Sequence, residues 1–298
     1  MQLLNQILYA PPVNYFIRNI LKLIPGLPES LKIHPSGLIQ VPIRNGKHIQ
    51  LATNQTCHVS TILFWEGSSN YEFTDIFLEI FPRIKVFFDL GSNIGYFSVM
   101  AGITNSDLKV YAFDPSPGPF NYLSENVRIN GLKNVFPQQA AVSDEDGTFS
   151  FHIAYNVKYP WLKYNSLGGS GHLSHVRENP TRHHVQVQAY KVDSFVEKNQ
   201  IPTIDLMKID VEEAEHLVLS GAQNSIRKFR PIVVCEVFSN AMLQQIREQI
   251  ISLGYKAYLF ENKKLYEQIL DDKSAVKQIE NYFFVPDEKV SWIEKWIA

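Results

Sequence analysis

The residues that could do chemistry begin with two aspartates on either side of a glycine-containing turn. Asp89 lies at the end of one apolar run and Asp114 follows the next, with Gly91 and Gly95 between them. A carboxylate at the end of a strand can accept hydrogen bonds from an ammonium group or from the hydroxyls of a ribose. Glycines allow the chain to turn tightly beside such a ligand. In the alternative interpretation, the glycines only form turns and both aspartates only cap helices.

The same turn discriminates between nucleotide cofactors. A dinucleotide-binding fingerprint needs glycines at the positions of Gly91, Asn93 and Tyr96, and only the first is a glycine. The Cβ of Asn93 would block a pyrophosphate, and Tyr96 is too large for close packing of helix on strand. S-adenosylmethionine has no phosphate, and free N–H groups at a helix start suit its carboxylate. The sequence therefore predicts an S-adenosylmethionine site formed by Asp89, Gly91, Ser92, Asn93, Gly95, Tyr96, Asp114, Pro115, Ala141 and Asp210.

Lys208 and Asp210 are the first candidates for catalysis. They alternate on one apolar strand, so both side chains should point to the same face, beside the predicted cofactor. A carboxylate can take the proton of a hydroxyl that accepts a methyl group, and the ammonium would lower the pKa of Asp210. The alternative is a structural ion pair. His172, in a glycine-rich stretch, is the third candidate because an imidazole titrates near neutral pH, although loop histidines are more often solvated.

Glu236 and a group of histidines carry weaker signals. Glu236 lies within an apolar run, so its carboxylate needs either a ligand on the acceptor side or a structural hydrogen bond. His172, His175, His183 and His184 fit no regular zinc spacing, and no cysteine accompanies them. The sequence therefore predicts no metal site.

The elements that must position these residues alternate between strands and helices from residue 84 onward. Such alternation is typical of a parallel sheet covered by helices on both faces. Two final apolar strands, 255–260 and 281–286, favour a closing antiparallel pair. We therefore expect an α/β fold of the class I methyltransferase, Rossmann-like type, with strands at 85–90, 109–114, 135–142, 204–211 and 231–238, and helices at 95–103, 117–130, 214–227 and 241–252.

The chain divides by pattern into an N-terminal extension, 1–83, and a catalytic domain, 84–290. In the extension, residues 1–30 predict short amphipathic helices cut by prolines, and 31–65 predict short strands. The helices either pack on the domain or contact a membrane surface or partner. In the domain, the stretch 155–184 contains several aromatic residues and is too long for a hairpin turn. Because aromatic rings with polar tips suit a sugar, we expect this loop to bind the acceptor, although its aromatics could merely anchor it.

Composition limits the function classes. The 298 residues include 28 basic and 30 acidic side chains, so no strong positive field favours nucleic acid. No apolar run approaches the length of a transmembrane helix, and no basic region precedes the first apolar residues. Cys57 and Cys235 do not form a disulfide framework. These features predict a cytoplasmic protein that acts on a small molecule.

Seven segments between residues 89 and 222 form an ordered set of motifs: DLGSNIGY (89–96), AFDP (112–115), ENVRIN (125–130), AAVSD (140–144), GGSGHL (168–173), KIDVEEAE (208–215) and LSGA (219–222). In their order and spacing they resemble the FkbM family of methyltransferases, and the resemblance covers about residues 60–238. It implies the class I fold, S-adenosylmethionine as cofactor, and O-methylation of a saccharide or metabolite hydroxyl.

Two departures separate this chain from the family pattern. Asp114 stands where the family usually has Glu, and Glu213 stands where it usually has Gly. Asp114 can do the same work, whereas Glu213 could alter the floor of the acceptor site. The sequence therefore leaves open a binding or scaffolding protein that has lost turnover, and a different transferase, such as an aminopropyltransferase, on the same fold.

Overall fold

The computed structural model describes residues 2–153, 155–168, 172–173, 183–270 and 279–298. The N-terminal part confirms two expected features, a pair of short helices and a hairpin. Residues 58–65, expected to be extended, instead form a helix. Their β-branched residues favour a strand, but burial of Leu63 and Phe64 in the core outweighs that weak preference. The elements here are α1 (Gln2–Leu8), α2 (Pro11–Leu21), β1 (Gly37–Pro42), β2 (His48–Thr53), α3 (His58–Trp65) and α4 (Thr74–Ile80).

A mostly parallel sheet of eight strands forms the centre of the protein. Its strands are β3 (Val86–Leu90), β4 (Lys109–Phe113), β5 (Val135–Gln138), β10 (Leu206–Ile209), β11 (Ile232–Val237), β12 (Tyr255–Glu261), β13 (Lys264–Gln268) and β14 (Glu280–Pro286). Their order is β13-β12-β14-β11-β10-β3-β4-β5, and β3, β4, β5, β10 and β11 pair in parallel. The pairs β11–β14, β14–β12 and β12–β13 are antiparallel, and this arrangement confirms the expected fold class.

Both faces of this sheet are buried under helices. Successive residues of β3 show the alternation, because Phe87 belongs to one apolar core and Phe88 to the other. Helix α5 and the N-terminal part contribute to the first core, while α7, α8 and α10 contribute to the second. No helix of the described residues is long and apolar enough to cross a membrane. The helices are α5 (Tyr96–Thr104), α6 (Pro117–Ile129), α7 (Val192–Lys198), α8 (Glu215–Ser220), α9 (Gln223–Phe229) and α10 (Asn240–Ile250).

A second sheet lies after the third parallel strand, and its first strand was not expected. Residues 135–142 were predicted as one strand, but the backbone changes partner after Gln138. The first half pairs with β4, and the second half, β6, pairs with β9. This small sheet has the order β6-β9-β7-β8, with β6 (Ala140–Val142), β7 (Gly147–Ile153), β8 (His172–Leu173) and β9 (His183–Tyr190).

One other expected element is divided in the structure, and one strand was not predicted. The predicted helix 214–227 is divided into α8 and α9 at Gly221, where a Cβ would lie 2.1 Å from the carbonyl oxygen of Ser143. The close approach of these two segments explains both the glycine and the break. Strand β13 was missed because its residues are mostly polar, which an edge strand with one solvated side tolerates.

Candidate active site

The turn after β3 has a backbone that requires glycine. Gly91 has a φ of +77°, and a Cβ built on it would lie 1.7 Å from the carbonyl oxygen of Asp210. Gly91 N and Ser92 N donate to the carbonyl oxygen of Phe113 at 3.0 and 2.8 Å, which ties the turn to the end of β4. Gly95, with a φ of +86°, then leads into α5. The turn is thus held between the ends of β4 and β10.

Asp114 organises this turn from the neighbouring strand. Its Oδ2 accepts from Asn93 N at 3.0 Å, and its Oδ1 accepts from Ser116 N at 2.9 Å. Burial raises the pKa of Asp114 to about 7 despite these two hydrogen bonds. Each oxygen of an ionised carboxylate has a further lone pair. Asp114 can therefore hold the turn and accept hydrogen bonds from a ligand.

The larger of two cavities at the carboxyl end of the sheet is partly open, and its space of about 690 Å³ between protein atoms includes solvent at its mouth. One wall is polar and includes Asp114, and another is apolar. Six residues predicted for the cofactor line it, namely Gly91, Asn93, Asp114, Pro115, Ala141 and Asp210, together with unpredicted residues such as Phe113, Val142, Phe151 and Glu212.

A smaller cavity borders the same turn, and its space of about 350 Å³ also includes solvent at its mouth. It shares Gly91, Asn93 and Asp210 with the larger cavity, so the two meet at the turn. Two of its walls were missed by sequence reasoning, because Val59 and Tyr71 come from the N-terminal part of the chain. The remaining lining residues are Ser92, Ile94, Tyr96, Phe97 and Lys208. Asp89 and Gly95 line neither of these two cavities.

Lys208 forms the charged centre of the site. Its Nζ donates to Asp210 Oδ2 at 2.8 Å and lies 4.0 Å from Asp89 Oδ1. Burial alone would lower the pKa of Lys208, but Asp210 and Asp89 hold it above its ordinary value. Asp89 Oδ2 accepts from Ser98 Oγ at 2.5 Å, whereas Oδ1 has no hydrogen-bond donor among the described residues. The structure thus brings together the predicted Lys208–Asp210 pair and leaves one buried carboxylate oxygen of Asp89 without a donor.

The segment after β10 has an unusual backbone. Glu212 and Glu213 have φ values of +58° and +72°, both in the region that favours glycine. Glu212 lines the larger cavity, and burial together with Asp210 raises its pKa to about 7. Glu213, where the family usually has glycine, is exposed and takes a glycine-like conformation. Strain of this kind is often stored at functional sites.

The predicted acceptor loop is fixed in its first part. Asn93 Nδ2 donates to the carbonyl oxygen of Leu167 at 3.0 Å, and Leu167 N donates to Thr56 Oγ1 at 3.1 Å. The Tyr159 ring is buried and contacts both Tyr9 and Trp161 edge to face. For Tyr159 the anchoring alternative therefore holds. The loop is joined to the turn beside both cavities and to the N-terminal part.

Of the four histidine candidates, the structure describes the side chain of His184 alone. His172 lies on β8, where its backbone is opposite His152, and its side chain lies outside the described residues. His175 and the side chain of His183 also lie outside them, whereas His184 Nδ1 is 3.3 Å from Ser150 Oγ. Within the described part of the chain, no group of three or more potential metal ligands is present.

Comparison with known proteins identifies the family. Residues 89–257 match the family model described as methyltransferase FkbM domain. The chain is 30% identical to the 31-O-demethyl-FK506 methyltransferase FkbM of Streptomyces tacrolimicus over 160 residues, which is 47% of this chain and 60% of that protein. It is 29% identical to the hexuronic acid methyltransferase AglP of Haloferax volcanii over 160 residues, 53% and 59% of the respective chains.

A third relative is matched over a larger share of its length. The chain is 30% identical to methyltransferase sdnD of Sordaria araneosa over 206 residues, which is 61% of this chain and 76% of that protein. The match thus spans only about three fifths of the first two relatives but three quarters of the third. Because the family model covers more than half of the 298 residues and includes the turn, Asp114 and Asp210, this chain belongs to the FkbM family of S-adenosylmethionine-dependent methyltransferases.

Proposed function

We propose that this protein transfers the methyl group of S-adenosylmethionine to a hydroxyl of a saccharide or another small metabolite. The observation that carries the proposal is the pair of cavities that meet at the Gly91 turn. The larger cavity offers Asp114 to the ribose hydroxyls and an apolar wall, which includes Ala141 and Phe151, to the adenine. The smaller cavity, on the other side of the turn, takes the methionine part of the cofactor.

The residues of the smaller cavity fit the charged groups of that methionine part. Asp210 lines this cavity and offers a carboxylate to the cofactor ammonium. Asp89 Oδ1, 4.0 Å from Lys208 Nζ, has no hydrogen-bond donor among the described residues and would add negative charge behind that contact. No described side chain caps α5 at Gly95, so the first N–H groups of this helix can bind the cofactor carboxylate. The bound cofactor supplies a methyl group that its positive sulfur already activates.

The protein's own residues align the acceptor with the methyl group and receive the acceptor proton. Displacement at the methyl carbon requires the acceptor oxygen, the carbon and the sulfur to lie in line, and such positioning can account for about 7–11 kcal/mol of a barrier. Asp210 lines both cavities and is held by Lys208, which lines the smaller one, so the pair can orient the acceptor hydroxyl. His172 remains a proposed base on the predicted acceptor loop.

The acceptor class is supported by the relatives and by the loop. One relative is named for a hexuronic acid and another for a demethylated oxygen of FK506, so both names indicate small or saccharide acceptors. In this chain the aromatic loop, predicted over 155–184, borders the cofactor turn through Leu167. We propose that it binds the acceptor and that residues 84–290 form the catalytic domain.

We also propose a cytoplasmic location, which is consistent with two cysteines that are both free and buried. We further propose that the extension 1–83 helps to form the binding site, because it supplies Val59 and Tyr71 to the smaller cavity.

Transfer of labelled methyl groups tests the proposal. The protein is incubated with S-adenosylmethionine carrying a labelled methyl group and with a panel of saccharides and hydroxylated metabolites. We expect label in an ether that resists mild base, since a methyl ester would be hydrolysed. Label in an amine or carbon product would refute O-methylation. Binding of the cofactor without transfer to any compound, including extracts of the source cell, would favour a protein that has lost turnover.

A further inference from the structure

Two further carboxylates interact electrostatically with Lys208, the charged centre of the site. Glu72 lies in the short turn between Tyr71 and α4, and Glu236 lies on β11. Neither forms an ion pair with a described residue, whereas Asp210 and Asp89 are the partners of Lys208. Glu236 was a candidate from the sequence, but Glu72 was not. Glu72 lies before residues 89–257, the part of the chain that matches the family model.

The strand register explains why these groups meet. In the parallel sheet, Lys208 is opposite Asp89 of β3, and Ile209 is opposite Cys235 of β11. The residues that follow, Asp210 and Glu236, therefore continue side by side at the carboxyl end of the two strands. Side chains alternate along a strand, so Lys208, Asp210 and Glu236 share the face on which the N-terminal part packs.

Glu72 reaches this group from the N-terminal part. Its neighbours along the chain fix its position, because Phe73 is almost fully buried and Tyr71 lines the smaller cavity with Lys208 and Asp210. The Tyr71 ring lies against Tyr96 and Phe97. Glu72 itself has a φ of +40°, a conformation that a non-glycine residue keeps only when its surroundings impose it.

We propose that Glu72 and Glu236 form a carboxylate pair that receives the proton of the acceptor hydroxyl during methyl transfer. This step rests on the proposed function. The hydroxyl oxygen forms a bond to the methyl carbon, and the bond between that carbon and sulfur breaks with both electrons going to sulfur. The hydroxyl proton passes to the pair, so atoms and charge balance: one positive charge leaves the sulfur and one proton joins the carboxylates.

The charges around the pair favour this timing. Lys208, Asp210, Tyr71 and Asp89 act electrostatically on Glu72, and Asp210, Glu72, Lys208 and Glu212 act on Glu236. Burial first, and then the neighbouring carboxylates, raise the pKa of Glu72 to about 7 and that of Glu236 to about 8, although Lys208 opposes the shift. The pair is therefore partly protonated near neutral pH.

Cofactor charge controls how many protons the pair holds. A positive charge within about 4–6 Å lowers a carboxyl pKa by about 1–3 units. S-adenosylmethionine brings an ammonium and a sulfonium, so its binding drives protons off the pair. S-adenosylhomocysteine has the ammonium but a neutral sulfur. The loss of the sulfonium on methyl transfer thus restores the affinity of the pair for a proton at the moment when the acceptor releases one.

Proton release on binding measures this coupling without any acceptor. Each ligand is titrated into the full-length protein by calorimetry at pH 7.5, in buffers that differ in ionisation enthalpy. We expect S-adenosylmethionine to release about 0.5–1 proton more than S-adenosylhomocysteine. Glu72→Gln and Glu236→Gln should each reduce this difference, and the double variant should abolish it. Glu66→Gln, an exposed position in the same segment, is the matched control and should retain it.

Equal proton release by the two ligands, or a full difference in the double variant, would overturn the proposal. Thermal melting establishes that each variant folds, and Glu236→Gln provides the test on its own if Glu72→Gln does not fold. If instead the proposed function is wrong, neither ligand will bind the folded wild-type protein, and this result is distinct from binding with equal proton release.

Discussion

Replacement of Gly91 by alanine is the sharpest structural perturbation of the site. A Cβ at this position would lie 1.7 Å from Asp210 O and 2.7 Å from Asp210 C, both of which are backbone atoms. No side chain can rotate away to make room, so the turn and the end of β10 must separate. The residue would also have to keep a φ of +77°.

The cost of Gly91→Ala follows from these two effects. A left-handed conformation costs a non-glycine residue about 1–2 kcal/mol, and overpacking typically costs about 1–3 kcal/mol. Alanine returns about 0.4–1 kcal/mol by restricting the unfolded chain. We expect the free energy of unfolding to fall by about 2–4 kcal/mol. Affinity for S-adenosylmethionine should fall at least tenfold, about 1.4 kcal/mol, because the turn moves.

Gly131→Ala is the matched control. Gly131 also has a positive φ, +65°, but a Cβ there would meet no atom within 4 Å. It carries the conformational penalty alone, so a loss of about 1 kcal/mol and unchanged affinity are expected. Urea denaturation and calorimetry on both variants give the comparison. If Gly91→Ala is as stable as Gly131→Ala, or binds the cofactor like wild type, the close approach of turn and strand is refuted.

Four further predictions follow from the same site. Asp114→Ala should weaken cofactor binding by about 1–3 kcal/mol, measured by calorimetry, because the ribose loses a charged acceptor; unchanged affinity would place the ribose elsewhere. Asp210→Asn should keep the fold and the cofactor affinity but lower turnover roughly 10²–10⁴-fold in the methyl-transfer assay, and normal turnover would remove Asp210 from catalysis. Glu213→Gly should raise the free energy of unfolding by about 0.5–1 kcal/mol, since its φ of +72° suits glycine, whereas Glu213→Ala should give no such gain in urea denaturation. Burial raises the pKa of Asp114 and Glu212 to about 7, so the folded protein binds more protons than the unfolded chain between about pH 4 and 7. The stability that these two groups contribute is complete at low pH and is lost as the pH rises through 7. Thermal melting of the ligand-free protein from pH 5 to 8 should therefore show a falling midpoint. Comparison with Asp114→Asn isolates the contribution of Asp114, and a contribution to stability that increases with pH would contradict the prediction.

The central sheet could be predicted because its signals are local. Five apolar runs alternate with helical segments, and each run contributes residues to both apolar cores in the structure. The turn could also be predicted from the sequence, because Asp89, Gly91 and Asp114 follow each other in the order that a nucleoside site needs. Lys208 and Asp210 were placed together because residues two apart on a strand share a face.

The rest of the site depends on contacts between distant parts of the chain. Tyr71 and Glu72 lie at the site only because α3, α4 and the loop between them pack on the sheet, and no local pattern indicates this. The position of Glu236 beside Asp210 depends on strand register, which a single apolar run does not reveal. The break at Gly221 likewise reflects a close approach to Ser143 that only the folded chain displays.

A crystal structure with S-adenosylhomocysteine bound tests the central claim most directly. We expect the ribose hydroxyls within hydrogen-bond distance of the Asp114 carboxylate, the adenine against Ala141 and Phe151, and the sulfur directed toward Asp210. An adenosine bound outside the cavity lined by Gly91 and Asp114, or no bound ligand at saturating concentration in the folded protein, would contradict it.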